Sequence, residues 1–232
     1  ICSRDWSSDV CSSDLLKKGY ATHITYNDDA IVNILNILKI IKEKGNYNSI
    51  AIPNEIQENA SSAFDKGIDC ILKTQYNQKG ILTSWCAQHD EETLLPADAR
   101  AFELASLSGK ESAKIVLLLM SIENPSPEII KSVEAAVNWF EKTKITGIKI
   151  ENVPTGEGEK TDKVIVENPD AEPLWARFMD LKDNKPFFCD RDGVKKATLA
   201  EIGYERRNGY GWYTNEPKEV LKKYSKWKSE LK

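Results

Sequence analysis

Residues Trp85–Gly109 read WCAQHDEETLLPADARAFELASLSG, and the predicted fold is organised around this stretch. It places Gln88, His89, Asp90 and Arg100 in one polar, turn-rich passage between two segments with helical patterns. Binding and catalytic residues are commonly carried on loops that a rigid scaffold holds in place. We therefore predict that this passage forms the floor of a cleft.

Two helical patterns precede this stretch. The closely spaced apolar positions between residues 31 and 41 predict a helix buried on most sides, which Gly45 would end. A second pattern runs from Pro53 to Tyr76.

Two more helical patterns follow the central stretch. Ser108 and Glu111 have the spacing of a capping box before a very apolar helix, and a further helix is predicted at 126–143.

The pattern changes after Ile145. Residues 145–153 and 163–166 are short and rich in β-branched side chains, and the turn Gly156–Gly158 between them predicts a surface hairpin. Further short strands or extended loops are predicted at 174–181 and 186–189, and helices at 199–206 and 217–231. The predicted fold is mainly α, with short β insertions on the rim.

Composition excludes several classes of protein. A net charge of -4 argues against a nucleic-acid partner, which requires a basic surface. The chain has no run of about 18 apolar residues, so no membrane span is predicted. Its five cysteines show no metal-binding spacing.

The first 15 residues do not resemble a natural domain start. The near-repeat of Trp6–Val10 and Cys11–Leu15 has no helical or strand period, and the segment lacks the features of a signal peptide. We interpret residues 1–15 as a non-native, adapter-like sequence. Residues 16–232 are then expected to form one catalytic domain that is truncated at its N-terminus.

Arginine is scarce in this chain, at six of the 32 basic residues. In a protein that uses lysine on its surface, an arginine indicates a position that needs a planar, forked cation. Five of the six stand near aromatic or acidic residues, namely Arg100, Arg177, Arg191 and the pair Arg206 and Arg207. Structural ion pairs would explain any one of them, but together they indicate an anionic ligand. Exposed aromatics such as Tyr210 would stack on sugar rings, unless they belong to the core.

Other site residues carry two interpretations each. Asn27, Asp28 and Asp29 stand at a predicted helix start, where they would cap the helix or bind a cation such as calcium. His89 is a structural hydrogen-bonding residue or a site residue, and Asp90 is a general acid or base or the cap of the next turn. No phosphate loop, zinc-protease motif or nucleophile elbow occurs.

Five separated blocks of the sequence, in matching order, resemble the pectate lyases of polysaccharide lyase family 10. Together they cover nearly everything from about Leu16 to the last helix. The blocks are YATHITYNDDA at 20–30, the central stretch at 85–109, PLWARFMD at 173–180, CDRDGVKKATLAEI at 189–202 and YERRNGYGWY at 204–213.

The resemblance implies an incomplete (α/α) toroid with a groove that binds polygalacturonate. It implies cleavage by calcium-assisted β-elimination, which leaves a 4,5-unsaturated product. Arg100 corresponds to the arginine that removes the C5 proton, and Arg177 and Arg191 to arginines that hold substrate carboxylates. Lys196 would add to them.

We assign His89, Asp90 and Tyr210 to substrate binding as well. Asn27 and Asp28 fall at the family's calcium- or substrate-contacting motif, and either could inherit its role.

Because arginine has an unperturbed pKa above about 12, burial and neighbouring cations would have to lower the pKa of Arg100 for it to act as a base. We expect an alkaline optimum, a monomer, and export, since the substrate is extracellular. Two alternatives stay open. One is a hydrolase that uses a carboxylate pair such as Asp28 and Asp90, and the other is a non-catalytic polysaccharide-binding protein.

Overall fold

The computed structural model describes residues 19–231 except for 45, 48, 157 and 159. The adapter-like segment at 1–15 and the helix end predicted at Gly45 lie outside the described residues. The described part of the chain is mainly helical. Its α-helices are α1 Ala30–Lys44, α2 Asn54–Thr74, α3 Gly109–Met120, α4 Pro127–Thr143, α5 Tyr204–Gly209 and α6 Pro217–Glu230.

The strands are short and pair into antiparallel two-stranded sheets, and no sheet closes on itself within the described residues. They are β1 Ile24–Thr25, β2 Asn46–Tyr47, β3 Ile50–Ala51, β4 Asn77–Gln78, β5 Ile81–Leu82, β6 Gln88–His89, β7 Ile148–Pro154, β8 Thr161–Glu167, β9 Trp175–Ala176, β10 Phe188–Cys189, β11 Lys195–Lys196 and β12 Tyr213–Thr214. The pairs are β1–β6, β2–β3, β4–β5, β7–β8, β9–β12 and β10–β11. Short 3-10 turns occur at Tyr20–Thr22, Asn27–Asp29 and Leu199–Glu201.

Most helix predictions are confirmed. α4 begins at Pro127, and the Ser126 hydroxyl accepts a hydrogen bond from the Ile129 amide at 3.4 Å, as an N-cap does. The predicted hairpin is β7–β8, with Ile148 opposite Glu167. The single helix predicted at 199–206 is instead a 3-10 turn followed by α5. Among the described residues, no helix is both long and apolar enough to cross a bilayer.

The prediction that the first helix is buried on most sides is wrong. In α1, Val32 and Leu35 are buried, but the side chains of Ile34 and Ile37 are 58% and 42% exposed. The reason is that α1 packs mainly against α2, so only one of its apolar faces has a neighbour among the described residues. Periodicity predicted the helix correctly but overestimated its burial.

Two hydrophobic clusters form the interior. The larger one is formed by helices α1, α2, α3, α4 and α6, and it contains the fully buried Trp85 and Trp175. Each indole nitrogen donates to a helix carbonyl at 2.8 Å, Trp85 to Ile71 and Trp175 to Phe140. A smaller cluster lies under the C-terminal loops and consists of Phe178, Phe187, Phe188, Leu199, Ile202 and Trp212.

Both ends of the central stretch are anchored in the larger core. Trp85 and Leu107 are fully buried, and the amides and carbonyls of Leu107 and Met179 exchange hydrogen bonds of 2.9 Å. The stretch between them therefore starts and ends at fixed points. This arrangement agrees with the prediction that a rigid scaffold holds the polar passage.

Candidate functional site

One part of the candidate site is a group of ion pairs around Arg177, which we call the Arg177 cluster (Asn27, Asp28, Lys110, Glu111 and Arg177). Arg177 Nη2 donates to Asn27 Oδ1 at 2.6 Å and to Glu111 Oε1 at 3.2 Å. Asp28 Oδ1 lies 3.3 Å from Lys110 Nζ and 3.8 Å from Arg177 Nη2. Arg177 is thus held in place through Nη2, while its buried Nε makes no hydrogen bond to the described residues.

Close packing of α3 against β9 brings Glu111 to Arg177. α3 begins at Gly109, where a Cβ would lie only 2.7 Å from the Cβ of Trp175. A residue without a side chain is therefore required at this contact. Because Trp175 precedes Arg177 by two residues, the contact also sets the position of the guanidinium.

The Asn27–Asp29 turn reaches the cluster from the opposite side. The amides of Tyr26 and Asn27 both donate to the Ala87 carbonyl, at 2.9 and 3.0 Å. Asp28 and Asp29 have φ angles of 52° and 61°, in the left-handed region that residues with a Cβ seldom adopt. Such backbone strain is concentrated at functional sites. The Asn27 side chain bonds Arg177, so the turn serves the cluster.

The capping box predicted at Ser108 and Glu111 is wrong. Ser108 makes no side-chain cap to the backbone of α3, and its hydroxyl instead donates a short hydrogen bond to Glu111 Oε2. The other carboxylate oxygen of Glu111 receives Arg177. Because Glu111 is buried, its charge requires these partners. A capping box does occur at Thr198 and Glu201.

Electrostatics keep Asp28 ionised. Partial burial by itself would raise the pKa of Asp28, but hydrogen bonding and charge from Lys110, with a further contribution from Arg177, bring its pKa below the ordinary value. The Asp28 side chain nevertheless stays 71% exposed. It thus offers a carboxylate to a ligand while facing two cations.

An open pocket of about 200 Å³ lies beside the cluster. Asn27 lines it on one side, and Arg100, Glu103 and Tyr210 line it elsewhere. Gln88, from the central stretch, contributes to the wall. The prediction that the central stretch borders a cleft is therefore confirmed, and the predicted base lines the same pocket as the Asn27 turn.

Arg100 is held by Glu103 in a two-pronged ion pair. Arg100 Nε donates to Glu103 Oε2 at 2.7 Å, and Nη2 donates to Oε1 at 2.5 Å. These hydrogen bonds hold the pKa of Arg100 above its ordinary value. The lowered pKa that we expected for a base is therefore not found in this arrangement. A catalytic Arg100 would have to leave Glu103 first.

Three guanidinium groups surround the ring of Phe102. The guanidinium carbons of Arg100, Arg191 and Arg206 lie 4.9, 5.0 and 4.8 Å from the ring centroid. Each distance is within the range of a cation–π contact. Phe102 thereby joins the central stretch to the turn that carries Arg191 and to α5, which carries Arg206.

The turn that carries Arg191 packs directly on the central stretch. Gly193 has a φ angle of 73°, and a Cβ at this position would lie 2.7 Å from the Ala101 carbonyl oxygen. Arg191 itself is exposed and pairs with Glu205 through bonds of 2.9 and 2.8 Å, which raise its pKa. An exposed pair of this kind is weak enough for a ligand carboxylate to replace Glu205.

Tyr210 connects the two parts of the site. The guanidinium carbon of Arg177 lies 4.7 Å from the centroid of the Tyr210 ring, and that of Arg206 lies 4.0 Å from it. Arg206 is buried, lies 5.1 Å from the Trp212 ring and donates to the Phe102 carbonyl at 3.3 Å. A continuous series of aromatic rings and guanidinium groups thus runs from the Arg177 cluster to Arg100.

The remaining basic residues lie further out. Lys196 is in β11, and its Nζ is 4.0 Å from Asp192. Arg207 pairs with Asp162 through two bonds of 2.8 and 2.7 Å, and this pairing lowers the pKa of Asp162 to about 2. Because the pair ties α5 to β8, we interpret Arg207 as structural.

The geometry disfavours His89 and Asp90 as substrate contacts. His89 is fully buried, its Nε2 accepts from the Cys86 amide and its Nδ1 lies 3.1 Å from the Leu94 carbonyl, so no ring nitrogen remains for a ligand. Asp90 Oδ1 accepts from the Thr93 amide and hydroxyl, which lowers its pKa and caps the turn. Both residues match the structural interpretations that the sequence left open.

Burial of His89 predicts a loss of stability in acid. Burial lowers its pKa to about 4, below the ordinary value of 6.5. As the pH falls, the unfolded chain therefore takes up this proton before the folded chain does. The stabilisation that comes from burying neutral His89 is complete above pH 6.5 and is lost as the pH falls towards 4. We expect it to reach about 3 kcal/mol of unfolding free energy.

NMR titration of the imidazole signals would measure the pKa directly, since the chain has only two histidines. Titration of His89 near its ordinary pKa of 6.5 would contradict the prediction. Urea unfolding at about pH 7 and about pH 4.5 would show the stability change.

The fit of a calcium ion can be judged from the donors present. Asp28 offers an exposed carboxylate, whereas Asn27 Oδ1 is bonded to Arg177, and Lys110 and Arg177 both lie close to Asp28. Calcium takes six to eight oxygen ligands. These residues fit an ion that is shared with ligand carboxylates, and they are too few to hold a resident ion by themselves.

Sequence reasoning missed several residues of this arrangement. Glu103 could have been found, because it follows Arg100 by three residues. Lys110 carries no sequence signal, and Glu111 and Phe102 were noticed only as a predicted helix cap and as an aromatic residue near Arg100.

Comparisons with known proteins show the family of this chain. A family model described as pectic acid lyase matches residues 15–221. The family 10 polysaccharide lyase from Cellvibrio cellulosa is similar in structure, with a TM-score of 0.81 and 34% sequence identity over 92% of this chain and 65% of that one. A mutant of that enzyme in complex with trigalacturonic acid matches with a TM-score of 0.80 and 34% identity, over 91% of this chain and 65% of that one.

The chain spans less than two thirds of the length of these two structures, at 65%. No curated protein matches it. The family model covers most of the chain, and the structural matches exceed 30% identity. The resemblance to polysaccharide lyase family 10 is confirmed, and the chain belongs to the pectic acid lyase family.

Proposed function

We propose that this protein is a pectate lyase that cleaves polygalacturonate by β-elimination with Arg100 as the base. The observation that supports the proposal is one pocket lined by Arg100, Asn27 and Tyr210, which is linked through Tyr210 to the partly buried guanidinium of Arg177. This arrangement occurs in a chain of the pectic acid lyase family.

The substrate class follows from the charges at the pocket. Polygalacturonate carries one carboxylate per sugar, and guanidinium groups bind carboxylates through two parallel hydrogen bonds. Arg177 lies beside Tyr210 and Asn27, which line the pocket, and exposed Arg191 can exchange Glu205 for a ligand carboxylate. Lys196 adds positive charge, and Tyr210 offers a ring edge to a sugar. A solved relative in complex with trigalacturonic acid supports this assignment.

The reaction needs a base at C5 and neutralisation of the neighbouring carboxylate. Arg177 and Arg191 would hold substrate carboxylates, which acidifies the C5 hydrogen and stabilises the enolate-like charge that follows. Arg100 would take the C5 proton. The C4–O4 bond then breaks, C4 and C5 form a double bond, and O4 leaves as an alcohol after taking a proton from solvent, to which Arg100 returns the C5 proton.

Glu103 opposes this role in the described arrangement. Its carboxylate occupies Nε and Nη2 of Arg100 and raises the pKa of Arg100. We propose that the bound substrate, which brings its own carboxylates, separates the pair, and that Arg206 and Arg191 then face Arg100 across Phe102 as neighbouring cations. Neighbouring positive charge lowers the pKa of an arginine.

We propose that the protein and its substrate together bind a calcium ion. Asp28, and Asn27 if it releases Arg177, would supply oxygen ligands, with the rest from substrate carboxylates. A bound calcium ion would neutralise the substrate carboxylate next to C5.

The wider features of the proposal follow from the family. We propose that the helices form part of an (α/α) toroid with the pocket in its groove. We also propose that the protein works outside the cytoplasm as a monomer, which size-exclusion chromatography would test. Because the chain spans 65% of the solved relatives, these statements about the whole enzyme are proposals.

The test is turnover of polygalacturonate by the purified protein, with calcium and with a chelator. We expect the ultraviolet absorbance of unsaturated products to appear with calcium and to fall to background with the chelator. New reducing ends without that absorbance would indicate a hydrolase, and binding without turnover would indicate a polysaccharide-binding protein. Either result would overturn the proposed lyase activity.

A further inference from the structure

Three side chains that could bind a metal lie together beside the pocket but outside the residues used above. One ligand atom each from His23, Asp90 and Glu91 falls within 4.8 Å of the other two. The β1–β6 ladder holds two of them in place, because Ile24 pairs with His89 and so sets His23 beside Asp90. Within the described residues, this is the one such group of His, Cys, Asp and Glu side chains.

The His23 ring has an unsatisfied nitrogen. Its Nδ1 is buried and has no hydrogen-bond partner among the described residues. A buried polar atom without a partner is unfavourable, so His23 would gain from a ligand that fixes its ring. Asp90 is held in place because its Oδ1 accepts from Thr93 and from the Glu92 amide. Its carboxylate is thus oriented before any ion binds.

We propose that His23, Asp90 and Glu91 bind a divalent transition-metal ion of the zinc type. Imidazole nitrogens and carboxylate oxygens both bind zinc, and three such ligands leave a fourth position for water, as in an open zinc site. The imidazole argues against calcium and magnesium, which take oxygen ligands. Tetrahedral ligands about 2.1 Å from an ion lie roughly 3.4 Å apart, so modest movement would close the group. Glu91 is exposed, so its side chain can make that movement.

The site would join two walls of the pocket. His23 follows Tyr20 by three residues and Asp90 follows Gln88 by two, and both Tyr20 and Gln88 line the pocket. A bound ion would therefore hold the Tyr20–Thr22 turn against the central stretch. Since an ion that binds only the folded chain stabilises it, unfolding should occur at higher temperature with zinc. This inference does not depend on the proposed lyase activity.

The test is titration of metal-free protein with zinc chloride, followed by calorimetry and by NMR of the imidazole groups. We expect one ion per chain and a shift of the His23 signals, while the buried His89 signals stay unchanged. His23→Gln and Glu91→Gln should each weaken binding by at least about tenfold, which corresponds to about 1.4 kcal/mol. Glu92→Gln is the matched control, because Glu92 lies next to the group but outside it.

Equal zinc affinity in wild type and His23→Gln would overturn the proposal, as would saturation with zinc that leaves the His23 signals unmoved. Displacement of zinc by equimolar calcium would also contradict it. If a variant fails to fold, the NMR titration of the wild-type protein decides alone.

Discussion

Replacing Arg100 with alanine or lysine is expected to reduce polygalacturonate cleavage by about 10³-fold or more, in line with the upper contribution of a positioned base. The fold should survive, because the Arg100 side chain is 52% exposed and lies outside both hydrophobic clusters. Initial rates of unsaturated product formation would measure the effect, and circular dichroism would check folding.

Arg207→Lys is the matched control for this experiment. Arg207 has a two-pronged ion pair of its own, with Asp162, but we place it outside the pocket. We expect this variant to lose stability and to keep its turnover, the reverse of the Arg100 variants. If both Arg100 variants retain turnover within a factor of about ten, Arg100 is not the base.

If Arg100 is the base, replacing Glu103 should change how the rate of cleavage depends on pH. Glu103 raises the pKa of Arg100, and a base acts only when deprotonated, so the rate should rise towards alkaline pH. Glu103→Gln removes the charge that raises the pKa. The rising limb of the rate profile should therefore move to lower pH, and a profile that stays in place would argue against proton removal by Arg100.

Loss of Arg177 is expected to have the second large effect, on stability and on activity together. Arg177→Met would leave Glu111 charged and buried without its cation, and breaking a buried pair in this way costs about 3–5 kcal/mol. It would also remove the donor that we assign to a substrate carboxylate. Urea unfolding and turnover at saturating polygalacturonate would measure the two losses.

A double variant separates these losses. Glu111→Gln in the Arg177→Met background removes the buried negative charge, so most of the stability should return. Turnover should not return, because the guanidinium is still absent. Fully additive destabilisation would show that the two side chains are not coupled, and recovered turnover would show that Arg177 does not serve the substrate.

The helical part of the fold could be predicted because the signals for helices are local. Apolar spacing, the Ser126 cap and the Pro127 start specify α4 within a few residues of sequence. The same kind of signal did not predict the burial of α1 correctly. Ile34 and Ile37 are exposed, because the burial of an apolar face depends on which elements pack against it. Periodicity describes a face but cannot say whether that face has a neighbour.

The site could be predicted only in part. The scarcity of arginine singled out Arg100, Arg177 and Arg191, and all three contact aromatic rings in the arrangement around the pocket. Their acidic partners were not predicted. For His89, the sequence could not decide between a structural and a binding role, because burial depends on the whole tertiary environment.

By itself, the sequence determined the mainly helical class and the likeness to a family of acidic-polysaccharide lyases, and it singled out the arginines that we propose to bind an anionic ligand. Only the tertiary structure decided which acids hold those arginines. Arg177 meets Asn27 across 150 residues and Glu111 across 66, so their pairing follows from the packing of α3 on β9. Helix patterns depend on neighbours a few residues apart, whereas the charge and pKa of a site depend on groups that only folding brings together.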